Sequence, residues 1–285
     1  MLTCLGHQTG PDSMQPIWIT SLAIILYLAT SAGLTLRLTR GDVQGPGSGW
    51  RGGLLGLGFG AVALHAVVLY PELVTTHGLN LGFFNAAALV SLLTVLLLLV
   101  TAISQPVENL GIPLLPLAAV TLALLLKYPG SHLMLNEGNW RLDLHILFSI
   151  LAYSVLALGA LQALLLAIQD KHLHDRHPGG FIRALPPLAV MERLLFQMIA
   201  TGFTLLSAAL LTGIFFLHDI FAQHLVHKTV LSICAWVVFG ILLWGRWRYG
   251  WRGRTALRWT WSGFGFLVLA YFGTKIVLEL ILKRV

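Results

Sequence analysis

The chain has 285 residues, 57% of them hydrophobic and only 10% charged, with a mean hydropathy of +0.82 and a formal net charge of +7. Soluble domains carry about 25% charged residues, so this composition excludes a soluble enzyme or a free-standing nucleic-acid-binding domain. It specifies a polytopic membrane protein.

The chain opens on a short polar tail. Cys4 after Leu2-Thr3 resembles a lipid-attachment cysteine, but no charged and apolar signal region precedes it, and Met14 is a second candidate start. Apolar stretches follow at residues 17–38, 52–70, 82–103, 110–128, 144–168, 195–217, 226–245 and 260–282, each near the about 20 residues needed to cross a bilayer. The expected fold is all-α: a single membrane domain, residues 1–285, built as a polytopic bundle of about eight transmembrane helices. The fourth stretch is the least regular, with Pro113 and Pro116 near its start and Lys127-Tyr128-Pro129 at its end. Membrane helices tolerate proline. Were that stretch not to cross, every later helix would reverse.

Loop charge orients the bundle, because Lys and Arg accumulate in cytoplasmic loops. With the N- and C-termini outside, the inward loops hold Arg37, Arg40 and Arg51, then Lys171, Arg176, Arg183 and Arg193, then Arg246, Arg248, Arg252, Arg254 and Arg258. These are 12 of the 18 basic residues. The positive charge is then explained by topology and by attraction to anionic lipid, with no nucleic acid as partner. The aromatic and basic run from Trp244 to Arg254 reads the same way, as an interfacial belt. Cys234 lies within the seventh helix, which leaves no disulfide or thiolate metal site in view.

Two histidines open apolar helices: His145 the fifth and His227 the seventh. The same orientation puts both at the outer surface, with His77, His132, His218 and His224 in outer loops. His65 lies inside the second helix, about 8 Å from its outer end at 1.5 Å per residue. Seven of the 11 histidines are therefore outer or in the outer half. An imidazole at a bilayer edge is costly, and several at one side point to a ligand site. Each alone also fits an ordinary interfacial residue bonded to loop backbone. The inner tract Lys171-His172-Leu-His174-Asp175-Arg176-His177 reads as a solvated loop.

Helix wheels sharpen the outer site. Ser149, Ala152, Tyr153 and Gly159 share a stripe with His145, and so small and polar a stripe should face protein. Gly52, Gly56 and Gly60 form one ridge of the second helix, with Gly58 and His65 nearly opposite, so this helix is expected to be packed on both faces. Gly58 is also expected to leave room for a flat ligand. Lys275 and Glu279 form an i,i+4 pair in the last helix, which reads either as self-neutralising or as a lysine offered to a ligand carboxylate.

At this point a family resemblance appears. Leu144-His145-Ile-Leu-Phe-Ser149-Ile-Leu-Ala152-Tyr153, followed by Lys228 to Gly240, Gly250-Trp251-Arg252-Gly253 and the closing Gly273-Thr-Lys275-Ile-Val-Leu-Glu279, resembles the cytochrome c assembly membrane proteins. That superfamily includes haem-handling proteins and the HemX and YpjD branches, the closing segment looking most like the latter. The resemblance implies a multi-pass protein of the bacterial inner (plasma) membrane that presents haem at the outer face, with His145 at the position of an external iron ligand. Haem-transferring members carry a tryptophan-rich external loop just before the seventh helix. Here the segment from His218 to His227 is short and contains no tryptophan, so an accessory or regulatory role is expected rather than transfer of haem to apocytochrome. Haem of b-type would need axial imidazoles and cations near its propionates. The candidates are His145 and His227 as ligands to the haem iron, His65 as the alternate, and Lys228 with Arg141 as propionate partners. Two other readings stay open, a small-molecule transporter or exporter subunit and a non-catalytic membrane partner of a transporter or biosynthetic enzyme. No paired carboxylates, nucleophile with base or phosphate-cradling loop argues for an enzyme.

Overall fold

The computed structural model describes residues 17–39, 49–75, 78–128, 133–135, 140–174, 185–216 and 226–273, and of Gly49, Gly78, Leu133–Leu135 and His227 the backbone only. Its helices are α1 (Ile17–Thr39), α2 (Gly49–Leu73), α3 (Phe83–Ser104), α4 (Gly111–Lys127), α5 (Trp140–His174), α6 (Leu188–Phe216), α7 (Val226–Tyr249) and α8 (Gly253–Val268). Among the described residues, α1 to α7 are long and apolar enough to cross a membrane. A short π-helical segment, Leu269–Gly273, extends α8. The fold is all-α apart from one small ribbon.

Local chemistry explains how these helices persist in an apolar medium. Thr30, Thr94, Thr101, Ser154, Ser207 and Thr260 each donate their hydroxyl to the carbonyl four residues earlier, so these hydroxyls are satisfied within their own helices. The prolines of α4 are accommodated in two ways. Pro113 stands in the first turn, where an amide hydrogen has no helical acceptor. Pro116, deeper in, leaves the Ile112 carbonyl without its usual partner, and Ser31 of α1 donates its Oγ–H to that oxygen at 2.8 Å. The fourth helix is therefore continuous because its neighbour mends it.

The bundle has two halves. In the first, α1 packs on α2 and α4, and α3 packs on α2 and α4; in the second, α5 packs on α6 and α8, and α7 on α6 and α8. Contact between α3 and α5 joins them, reinforced by a chain of aromatic rings: Tyr153 on Phe264 and Phe272, Phe272 on Phe83, Phe83 on Phe84 and Phe84 on Tyr128, all with centroids 5.1–5.7 Å apart. Such edge and offset contacts add to the burial of the rings.

Three short strands, β1 (Val74–Thr75), β2 (Gly78–Asn80) and β3 (Leu133–Leu135), form an antiparallel ribbon in the order β1-β2-β3. Leu79 pairs with both Val74 and Met134, which ties the α2–α3 connection to the α4–α5 connection at one end of the bundle. Asn85 braces this end by donating Nδ2–H to the carbonyls of Glu72 (3.0 Å) and Asn80 (3.1 Å). Because the histidine-bearing helix ends lie on this side, it is called here the histidine end.

The opposite, arginine end is held by two carboxylates. Glu108, between α3 and α4, receives Arg37 from α1 at 3.3 Å and Arg51 from α2 at 3.3 Å. Arg51 also donates to the Ala102 carbonyl in the last turn of α3, where helix carbonyls lack partners. Glu192 of α6 receives Arg246 of α7 at 3.0 Å.

Two expectations for α2 need correction. A Cβ at Gly52 or Gly56 would meet nothing within 4 Å, and at Gly60 only Leu26 at 3.9 Å, so the glycine ridge is open and α2 packs mainly through its other face. The space expected beside Gly58 is filled by Leu99, whose methyls come to 3.0 and 3.2 Å of a Cβ built there. Leu99 belongs to α3, which packs on this side of α2.

Candidate functional site

His145 sits five residues into α5, and its ring is fixed by α6. Nδ1 lies 2.9 Å from the Ala209 carbonyl oxygen and 3.3 Å from Thr212 Oγ1. A carbonyl oxygen only accepts, so Nδ1 carries the hydrogen and Nε2 keeps its lone pair. The Thr212 hydroxyl in turn donates to Ala208 and Ala209, both at 2.9 Å. Nε2 has no hydrogen-bond partner among the described residues. Half-buried at the protein edge, it is a nucleophilic nitrogen held in one tautomer and orientation.

Arg141 lies one turn before His145 on the same stripe, with its guanidinium 5.6 Å from the Phe216 ring and 5.8 Å from that of Trp140. The Trp140 and Phe216 rings meet at 5.8 Å. α5 and α6 thus bring one imidazole and one cation to their shared end. The stripe below continues as read from the sequence: Ala152 is buried, Tyr153 packs on α8, and Gly159 faces Met198 and Ile199 of α6.

His227 and Lys228 open α7 at the same end. The register of α7 is set by Trp236, whose indole N–H donates to Ser207 Oγ at 2.8 Å and whose ring stacks on Phe203 at 5.5 Å. Nine residues separate His227 from Trp236, about 13 Å along the helix, on the side of Ser207 where His145 also lies. The segments carrying His77, His132, His218 and His224, and the Lys275–Glu279 pair, lie outside the described residues, as does His177 of the inner tract.

His65 is placed elsewhere. It is fully buried in the first half, with Nδ1 3.1 Å from Tyr27 Oη of α1 and the two rings edge to face, while Nε2 is enclosed without a partner. Depth separates it from His145. Tyr153 is level with Phe83 through Phe272, and His145 lies eight residues further out, about 12 Å. Asn85 meets Glu72 near the same level, and His65 lies seven residues further in, about 10 Å. The two imidazoles are in different halves and too far apart in depth to share one metal ion.

Sequence reasoning missed the groups that organise these residues. Ala209 acts through its backbone, Tyr27 is an aromatic residue on an apolar helix, and each partner is remote in sequence from its histidine. Glu108 was accessible to it: a rare acidic residue in the loop that the topology puts beside Arg37 and Arg51.

Fold and site together define a polytopic helical membrane protein that offers an oriented imidazole and an arginine at one membrane face. Residues 57–282 match the family described as Cytochrome C assembly protein, and the chain belongs to that family. It is 35% identical over 265 residues to the inner membrane protein YpjD of Escherichia coli K12, covering 91% of this chain and 98% of that protein. A protein of Azospirillum brasilense described as an uncharacterized 28.8 kDa protein in a nifR3-like 5′ region is 35% identical over 147 residues, 51% of this chain and 54% of its own length. No solved structure matches. The chain is thus a multi-pass inner-membrane protein of the cytochrome c assembly family.

Proposed function

We propose that this protein binds haem at its histidine end and serves as a non-catalytic accessory or regulatory component of haem handling. The observation that carries this reading is the bond from His145 Nδ1–H to the Ala209 carbonyl. Histidines that ligate metals commonly donate their second nitrogen to a carbonyl or carboxylate, which fixes the tautomer and raises the basicity of the free one. His145 has that arrangement, with Nε2 left to hold iron. Arg141, one turn away, is placed to attract a propionate carboxylate. His227 is the proposed second axial ligand and Lys228 a second propionate partner, both brought to the same end by α7. His65, buried in the other half, is not assigned to this iron.

Haem held this way would be b-type, since the sequence contains only two cysteines, Cys4 and Cys234, and no Cys-x-x-Cys-His attachment run. Bound, it would supply a redox-active iron at the membrane surface; orientation and charge neutralisation would come from His145, Ala209 and Arg141. By the loop charges, this end is the outer one.

The test is spectroscopic. Protein purified in detergent and titrated with hemin should develop a Soret band, with a sharp α band on reduction. In His145→Ala the hemin affinity should fall by at least about tenfold, the scale of losing a metal-site interaction. Wild-type protein that takes up no hemin would sink the haem reading and leave transport or scaffolding.

A further inference from the structure

The turn between α7 and α8 is tight and closely packed. Gly250 and Gly253 adopt φ of 66° and 52°, a conformation open to glycine and strained for other residues. Trp251 is wedged over Gly245, where a Cβ would overlap its ring, and lies between Tyr249 (6.4 Å) and Trp259 (5.6 Å). Arg246 is consumed by this architecture, donating to Glu192 at 3.0 Å and to the Trp251 carbonyl at 3.1 Å.

The other four arginines of the hairpin are not. Arg252 and Arg254 reach Glu192 and Asp170 only at 4.0 and 3.9 Å, with side chains 71% and 74% exposed. Arg248 and Arg258 are exposed and have no carboxylate partner among the described residues. Arg254, Arg258 and Trp261 follow one another at single-turn spacing along an exposed face of α8, and Trp244 and Arg248 do so on α7. Trp247 is the most exposed large side chain of the belt, at 82%.

Arg258 lies about 8 Å into α8, where an exposed face meets lipid. A guanidinium there must extend to an anion at the interface, and its planar fork matches a phosphate bidentately. Indoles favour the same glycerol and headgroup zone. A patch in which two guanidiniums have no carboxylate partner among the described residues and two more meet theirs only at 3.9–4.0 Å discriminates against headgroups that carry their own ammonium.

We propose that the arginine end of the α7–α8 hairpin is a binding site for anionic phospholipid. Arg254 and Arg258 grip the phosphate, Arg248 and Arg252 supply the surrounding positive field, and Trp244, Trp247 and Trp261 pack on the glycerol and upper acyl region. The site is independent of the haem reading.

Full-length protein in phosphatidylcholine bilayers would be given equal small fractions of dibrominated phosphatidylglycerol or dibrominated phosphatidylcholine, and tryptophan quenching followed. Phosphatidylglycerol should quench with an apparent affinity about fivefold or more higher, the scale of one basic residue near an anionic surface. The excess should vanish in Arg254→Gln/Arg258→Gln and persist in Lys171→Gln/Arg193→Gln, which removes the same charge elsewhere at that end. Should the first variant aggregate, Arg254→Lys/Arg258→Lys keeps the charge without the fork and should lose at least half of the excess. Equal quenching by both lipids in the wild type overturns the proposal, as does an equal loss in the two Gln pairs or full retention in the Lys pair.

Discussion

A single backbone oxygen decides what His145 can do. Were Nδ1 to face water, the imidazole would be free to exchange tautomers and swing; donated to Ala209, it offers Nε2 alone. Charge at the other end is managed as strictly. Glu108 neutralises Arg37 and Arg51 with little solvent to help, since these side chains are only 13–14% exposed. Removing one partner of a buried ion pair leaves an uncompensated charge. Glu108→Gln should therefore destabilise the first half by about 3 kcal/mol, read as a fall in the thermal unfolding midpoint in detergent. An unchanged midpoint would show that the arginines find other acceptors.

At the scale of the element, glycines separate packed faces from open ones. A Cβ at Gly202 of α6 would fall inside the Leu156 side chain of α5, so these helices approach closely because Gly202 lets them, as small residues do in membrane bundles. Gly202→Val should cost about 1–3 kcal/mol through overpacking. Gly52→Ala on the open ridge of α2 meets no neighbour and should be neutral or stabilising by up to about 1 kcal/mol. Comparing the two midpoints checks both, and equal losses would refute the packing argument. The repair of α4 belongs here too. Pro116 alone signals a weakness in the fourth helix, whereas Ser31 at the Ile112 carbonyl makes it a supported one.

At the scale of the molecule, the ribbon, the aromatic seam and the two carboxylate clamps give the bundle distinct ends. By the arginine count, the arginine end is expected to face the cytoplasm. In a variant lacking Cys4 and Cys234, Trp140→Cys should react with an impermeant maleimide in intact cells and Lys171→Cys should react only after lysis. The reverse pattern would invert the orientation and move the haem-site proposal to the cytoplasmic face.

The helical class, the number of apolar stretches and the end at which His145 lies were legible in the sequence because they depend on composition, period and loop charge, which are local or additive. The aromatic seam was not, since Tyr153, Phe83 and Phe272 become neighbours only when two half-bundles meet. Nor was the open ridge of α2: the spacing of Gly52, Gly56 and Gly60 says that a close approach is possible, not that a partner makes it. The sequence by itself determined that His145 and His227 open helices at one end of the bundle, because hydropathy and charge place helix ends. Only the tertiary structure decided that His145 is oriented by α6 while His65 is sealed against Tyr27, because hydrogen bonds from a side chain to a remote backbone or side-chain partner form only where folded helices touch.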